Sequence, residues 1–160
     1  MLMNGTPKLK PSRAHKLVLD IQYAAGKASA PTSAQLRRWT RAALRGDARI
    51  TLRIIGAREA RTLNKTYRQR DYATNVLSFP YEQKPLMGDI AICAPVVIRE
   101  ARELGISSEA RYAHLTVHGV LHLQGFDHLI EREALRMERM ETAILDQLGY
   151  SDPYAADEHE

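Results

Sequence analysis

The chain has 160 residues, 44% hydrophobic and 26% charged, with a formal net charge of +4. A chain of this size and composition folds as one domain with one sizeable core and is neither disordered nor fibrous. The small net charge hides a split: residues 1–75 hold 16 Lys/Arg and 4 Asp/Glu, and residues 76–160 hold 7 Lys/Arg and 15 Asp/Glu, an asymmetry that raises the prior for a polyanionic partner.

Residues 1–14 (MLMNGTPKLKPSRA) combine two prolines and three basic residues with no apolar period, and are expected to be a disordered tail. They lack the apolar core of a secretory signal, and the prolines oppose an organellar transit helix, so a cytoplasmic protein is expected. Leu17, Leu19, Ile21 and Tyr23 alternate with mostly polar neighbours and predict a strand. Pro31-Thr32-Ser33 offers helix-capping chemistry. Leu36, Trp39 and Ala43 follow at helical spacing, with Arg37, Arg41 and Arg45 on another face and Gly46 as a stop. Ile50, Leu52 and Ile54 predict a second strand, and Ala57, Ala60, Leu63 and Tyr67 a second helix. Arg68 to Asn75 (RQRDYATN) is polar and reads as a loop. Strands are expected over Val76–Tyr81 and Met87–Cys93.

The remainder reads as helical. A short helix spans Val96–Leu104 and ends at Gly105. The next starts at a cap on Ser107 or Ser108 and runs to about Gln124, with Gly125 where a left-handed residue is expected. A last helix covers about Ile130–Leu148, with Leu135, Ile144, Leu148 and the Met137/Met140 pair on its buried stripe and Gly149 closing it. The order is β-α-β-α-β-β-α-α-α, which predicts an α+β single domain: a small mixed sheet packed with helices. The domain is expected over residues 15–154, with 155–160 a short acidic tail. The longest stretch without charged or strongly polar side chains, Ile90–Ile98, is nine residues and holds Pro95, so no membrane span of ~20 apolar residues is expected. The lone Cys93 permits no intrachain disulfide.

Four of the six histidines fall between His114 and His128. His118 and His122 are four apart, so a helix puts both imidazoles on one face at ~5–6 Å between Cβ atoms, a spacing that suits one ion. A turn at Gly125 can bring His128 back as a third ligand. Three histidines leave a tetrahedral ion one open position, the arrangement of a catalytic zinc. The pattern H-x3-H-x2-G-x2-H reproduces the metzincin metal-helix spacing, with one departure: Gly119 stands where those proteases carry the glutamate that serves as general base. Three neutral imidazoles leave the ion its full charge, which suits anionic substrates. His114, one turn earlier, reads as structural or as a partner of a ligand. Asp127 reads either as a carboxylate orienting a ligand imidazole or as a turn residue.

The segments HGVLHLQGFDH (118–128), LNKTYRQRDYATNVLSFPYE (63–82), LMGDIAIC (86–93) and GYSDPY (149–154) resemble the YbeY-type endoribonucleases, the bacterial rRNA maturation factors. The resemblance covers about residues 50–154. It implies an α/β fold and a zinc site on His118, His122 and His128. It also implies a functionally important arginine at Arg68, and single-strand-directed RNase activity in maturation of the 16S rRNA 3′ end and in ribosome quality control. Expected partners are single-stranded RNA, rRNA and the small ribosomal subunit with its proteins; the expected cofactor is one Zn2+ or another divalent ion. A fixed guanidinium near the ion has a use, because phosphodiester cleavage builds negative charge. The other reading of Arg68 is a surface residue paired with Asp71. Arg70 competes with it, and Thr74 and Asn75 either contact RNA or cap a turn. Two rivals remain: a metalloprotease-like hydrolase, and a non-catalytic ribosome-binding module with a structural zinc.

Overall fold

The apolar alternation in the strands sets the architecture. In the computed structural model, which describes residues 15–127 and 130–155, β1 (Leu17–Tyr23), β2 (Ala48–Ile55), β3 (Val76–Gln83) and β4 (Leu86–Cys93) form one sheet in the order β1-β2-β4-β3. β1, β2 and β4 run parallel, and β3 pairs antiparallel with β4. The parallel pairs need crossovers, and helices supply them. Leu17, Leu19, Ile50, Leu52, Ile54, Ile90 and Ile92 line one face and join the main core. Ile55, Leu77, Ala91 and Cys93 line the other and pack with Ala60 of α2 (Ala57–Arg68) and Val96 of α3 (Ala94–Leu104).

The main core is closed by α1 (Ser33–Ala43), α4 (Ser108–Leu123) and α5 (Glu131–Leu148). Thr32 and Gln35 form a capping box at α1: the Gln35 N–H donates to Thr32 Oγ1 at 3.1 Å and the Thr32 N–H to Gln35 Oε1 at 2.9 Å. Ser107 caps α4, accepting the Ala110 N–H at 3.0 Å. Ten of the sixteen residues of α4 are buried, because this helix is flanked by other elements on most sides rather than on one stripe. The histidine motif is therefore carried on the most enclosed helix of the domain.

The expected element order is the observed one. Three details differ. Arg68 is the last residue of α2 and not part of the loop, which begins at Gln69 with a left-handed φ of 56°. α3 begins at Ala94, because Pro95 fits a first helical turn whose N–H groups lack partners anyway. On α5, Met137 is buried and Met140, Ile144 and Leu148 pack against the main core as expected, but Leu135 is 47% exposed and the buried line Met137, Glu141, Leu145 includes an acid. Apolar periodicity alone does not reveal Glu141, because the position it buries is held by a carboxylate. No helix among the described residues is long and apolar enough to cross a membrane. The expected tail at 1–14, and all but Ala155 of the one expected at 155–160, lie outside the described residues.

Candidate active site

One cleft of about 370 Å³ gathers most of the residues singled out above: Arg68, Arg70, Thr74, His118, His122 and Asp127. Its walls are the C-terminal end of α2 with the following loop, the start of β3, and the C-terminal half of α4. His118 and His122 stack along α4 with ring centroids 5.7 Å apart, as their spacing requires. Among the described residues no group of three His, Cys, Asp or Glu side chains is disposed to hold an ion. The expected third ligand, His128, lies outside the described residues.

The His118 imidazole is oriented from behind by a buried carboxylate. Glu141, 1% exposed, accepts from His118 Nδ1 at 3.1 Å through Oε2. Its Oε1 accepts from His114 Nε2 at 2.5 Å and from the Tyr154 hydroxyl at 2.8 Å. Burial opposes the charge on Glu141, but the hydrogen bonds from His114 and His118, with their Coulombic attraction, outweigh it and hold the carboxyl at about 2. An ionised carboxylate only accepts, so both imidazoles donate to it. On His118 this places a proton on Nδ1, so Nε2 is the nitrogen that would take an ion. On His114 the other nitrogen lies 3.1 Å from Arg111 Nη1; arginine only donates, so His114 Nδ1 accepts. His114 thus has both nitrogens engaged within the protein and is a support of the site, one of its two expected roles. Burial, and then the charge of Glu141, push the Tyr154 phenol well above its ordinary range, which keeps it a donor.

The network continues outward. Arg111 Nη2 donates to Glu100 Oε1 at 2.8 Å, and Asn75 Nδ2 donates to the same oxygen at 3.1 Å. The Val76 N–H donates to Asn75 Oδ1 at 2.6 Å. Asn75 is thus a turn residue tied to α3, while its neighbour Thr74 lines the cleft. Arg68 Nη2 donates to the Ser78 carbonyl at 3.1 Å. That bond takes one of five guanidinium donors and holds the side chain across the cleft from α4. Asp71 pairs with Arg61 at 2.7 Å, so the alternative partner considered for Arg68 is otherwise committed.

Two glycines shape the histidine helix. Gly125, at φ 97°, turns the chain out of α4 through a conformation that side chains disfavour. Gln124 ties this turn to the end of α1: its Nε2 donates to the Ala43 carbonyl at 2.8 Å and its Oε1 accepts the Arg45 N–H at 2.8 Å. Arg45 and Arg136 sit over the Phe126 ring at 5.3 and 5.5 Å, which fixes the approach to Asp127. Gly119 is different. A Cβ there would lie 3.2 Å from Ile90 Cγ2 and 3.3 Å from Ser78 Oγ, and the Ser78 hydroxyl donates to the Gly119 carbonyl at 3.2 Å. The sheet crowds the position where a metalloprotease glutamate would begin.

The geometry brings together Arg68, Arg70, Thr74, Asp127, His118 and His122, and sets His114 behind them. Sequence reasoning missed Glu141, Tyr154, Arg111 and Ser78. A signal for Glu141 was present: it is a lone carboxylate at i+4 between Met137 and Leu145 on a buried stripe. Charges are rarely fully buried without a partner. The donors fit a divalent ion. Two imidazoles share one helix face, and the proton of one is fixed by a buried carboxylate, the arrangement that orients zinc ligands.

The fold and cleft define a small α+β protein with a histidine pair facing two arginines, a site suited to an anionic substrate. The chain belongs to the endoribonuclease YbeY family, whose model, described as "Endoribonuclease YbeY", matches residues 22–149. Proteins named Endoribonuclease YbeY are similar over most of their length. That of Methylibium petroleiphilum is 57% identical over 141 residues, covering 88% of this chain and 94% of that protein. That of Aromatoleum aromaticum is 56% identical over 144 residues, with the same coverage of 88% and 94%. The solution structure of TM1509 from Thermotoga maritima superposes with a TM-score of 0.56 at 23% identity, covering 85% of this chain and 98% of that one. It shares the fold.

Proposed function

We propose that this protein is a metal-dependent endoribonuclease that cleaves single-stranded RNA, acting in the cytoplasm on the 3′ end of 16S rRNA at the small ribosomal subunit. The observation that carries the reading is the juxtaposition, in one cleft, of an ion-ready histidine pair with Arg68 and Arg70. The family of the chain supplies the substrate class.

His118, His122 and His128 would hold a zinc or other divalent ion. When bound, the ion supplies Lewis acidity toward a phosphate oxygen and lowers the pKa of water. The protein's own groups do the rest. Glu141 holds the His118 ring and its tautomer. Arg68, anchored on the Ser78 carbonyl, presents its remaining donors to the phosphate and stabilises charge as it develops on the non-bridging oxygens. Arg70 and Thr74 line the same wall and position the RNA backbone. The Gly119 packing favours this over peptide hydrolysis, since no carboxylate enters the cleft from that position to protonate an amine leaving group.

The test is cleavage of single-stranded RNA and of an unfolded protein by the same metal-loaded preparation. RNA cleavage with no proteolysis is expected; proteolysis without RNA cleavage would refute the assignment. The end groups then choose the nucleophile. A 5′-phosphate product points to water, and a 2′,3′-cyclic phosphate to the RNA 2′-OH. A protein that unfolds when chelated, yet cuts nothing when intact, would be a non-catalytic zinc module.

A further inference from the structure

On the face of the sheet opposite α4, α2 and α3 cover the end that carries Ile55, Leu77, Ala91 and Cys93. Beyond it lies a second groove, of about 780 Å³, whose lining includes Arg53, Tyr67, Tyr81 and Asp89. Strand alternation builds its floor: Thr51 and Arg53 of β2 and Asp89 of β4 point away from the core, between the buried Ile50, Leu52, Ile54 and Ile90.

Two large aromatic side chains in this groove are more than half exposed, Tyr67 at 60% and Tyr81 at 63%. Neither is loose. Tyr67 meets Phe79 edge to face, with centroids 5.3 Å apart. Tyr81 is tethered at its tip, its hydroxyl donating to Asp89 Oδ2 at 2.5 Å. The charges on the floor are largely balanced: Arg53 is bidentate to Glu59 at 2.7 and 3.0 Å and also donates to Gln22 at 3.0 Å. A groove with tethered tyrosines and balanced charge is poorly built to hold phosphates. It is well built to receive flat, partly polar rings.

The groove is continuous with the cleft. Arg68 and Ser78 line both, so the guanidinium stands on the boundary between them. We propose that this groove is a base-binding subsite, in which unpaired nucleobases flanking the scissile phosphate stack on Tyr67 and Tyr81 while Arg68 holds the phosphate between the two compartments. The proposal rests on the RNA-cleaving reading of the cleft. Stacking on aromatic rings tolerates any base and requires an unpaired strand, so the groove gives the site its preference for single strands. Gln22, Thr51 and Asp89 supply hydrogen-bonding groups to base edges.

The experiment uses the full chain loaded with zinc and a fluorescent single-stranded RNA of about ten nucleotides, read by anisotropy, with cleavage followed separately. Tyr67→Ala/Tyr81→Ala is expected to weaken binding roughly tenfold or more, from loss of stacking. Tyr67→Phe/Tyr81→Phe keeps the rings and is expected to stay within about threefold of the parent. The advantage of the single strand over a duplex of equal length should shrink in the alanine variant alone. Both pairs are exposed, and circular dichroism confirms that they fold. Unchanged RNA affinity and unchanged strand preference in the folded alanine variant would overturn the subsite. Failure of the cleavage reading shows differently: the parent would not cut RNA at all, whatever the tyrosines do to binding.

Discussion

Replacing Glu141 by Gln tests how the histidine site is held. The substitution keeps the volume of a side chain that is 1% exposed and removes its charge. The carboxylate accepts from three donors, His114 Nε2, His118 Nδ1 and the Tyr154 hydroxyl. A glutamine offers one oxygen and a donating NH2. If the amide nitrogen faces His118, that ring must move its proton to Nε2 to accept, and the nitrogen needed for a metal is then blocked. Losing such a carboxylate partner typically costs 10–100-fold in metal affinity. Leaving one buried donor unmatched costs about 1–3 kcal/mol of stability. Zinc affinity is measured by competition with a chromogenic chelator, and stability by urea unfolding of the metal-free protein. Zinc affinity and stability both equal to the parent's would refute the orienting role given to Glu141. The same group sets an acid limit. Its carboxyl is depressed from 4.5 to about 2, so its contribution is present above about pH 4.5 and is lost as pH falls toward 2. Metal-free parent protein should lose stability through that window, and Glu141→Gln should lose less.

Three further outcomes follow from the same geometry. Arg68→Ala is expected to retain zinc and to lose about 10²–10³-fold in cleavage rate, the scale for removing one donor to developing charge; a single-turnover assay beside zinc analysis checks it. Gly119→Glu should destabilise the fold by about 1–3 kcal/mol or more through overpacking against Ile90 and Ser78 and should gain no proteolysis, as thermal unfolding and a casein assay will report. Chelation should abolish RNA cleavage while the far-ultraviolet circular dichroism stays helical, because the main core is built from apolar side chains of the sheet and helices.

The order of elements was legible because each carries its own period: alternation in Leu17–Tyr23 and Ala48–Ile55, and i, i+3/i+4 spacing around Leu36 and Trp39. The histidine pair was legible from spacing alone, since the helix dictates where His118 and His122 point. The contacts that support the site were less legible: Glu141 and Tyr154 lie 27 and 40 residues from His114, and only tertiary packing brings them to it, whereas Arg111 is its neighbour one turn earlier on α4. The strand order β1-β2-β4-β3 and the open sheet face with Tyr67 and Tyr81 likewise depend on long-range pairing. The buried line of α5 shows the cost of reading burial from hydrophobicity: Glu141, between Met137 and Leu145, is an acid, and its burial is understood only through its partners.

The most direct measurement is metal content and single-stranded RNA cleavage on the same purified samples of the parent, Arg68→Ala and His122→Ala. The parent should carry one divalent ion and cut RNA. Arg68→Ala should carry the ion and fail to cut, and His122→Ala should do neither while remaining folded. RNA cleavage at the parent rate by folded, metal-free His122→Ala would contradict a mechanism built on the histidine site.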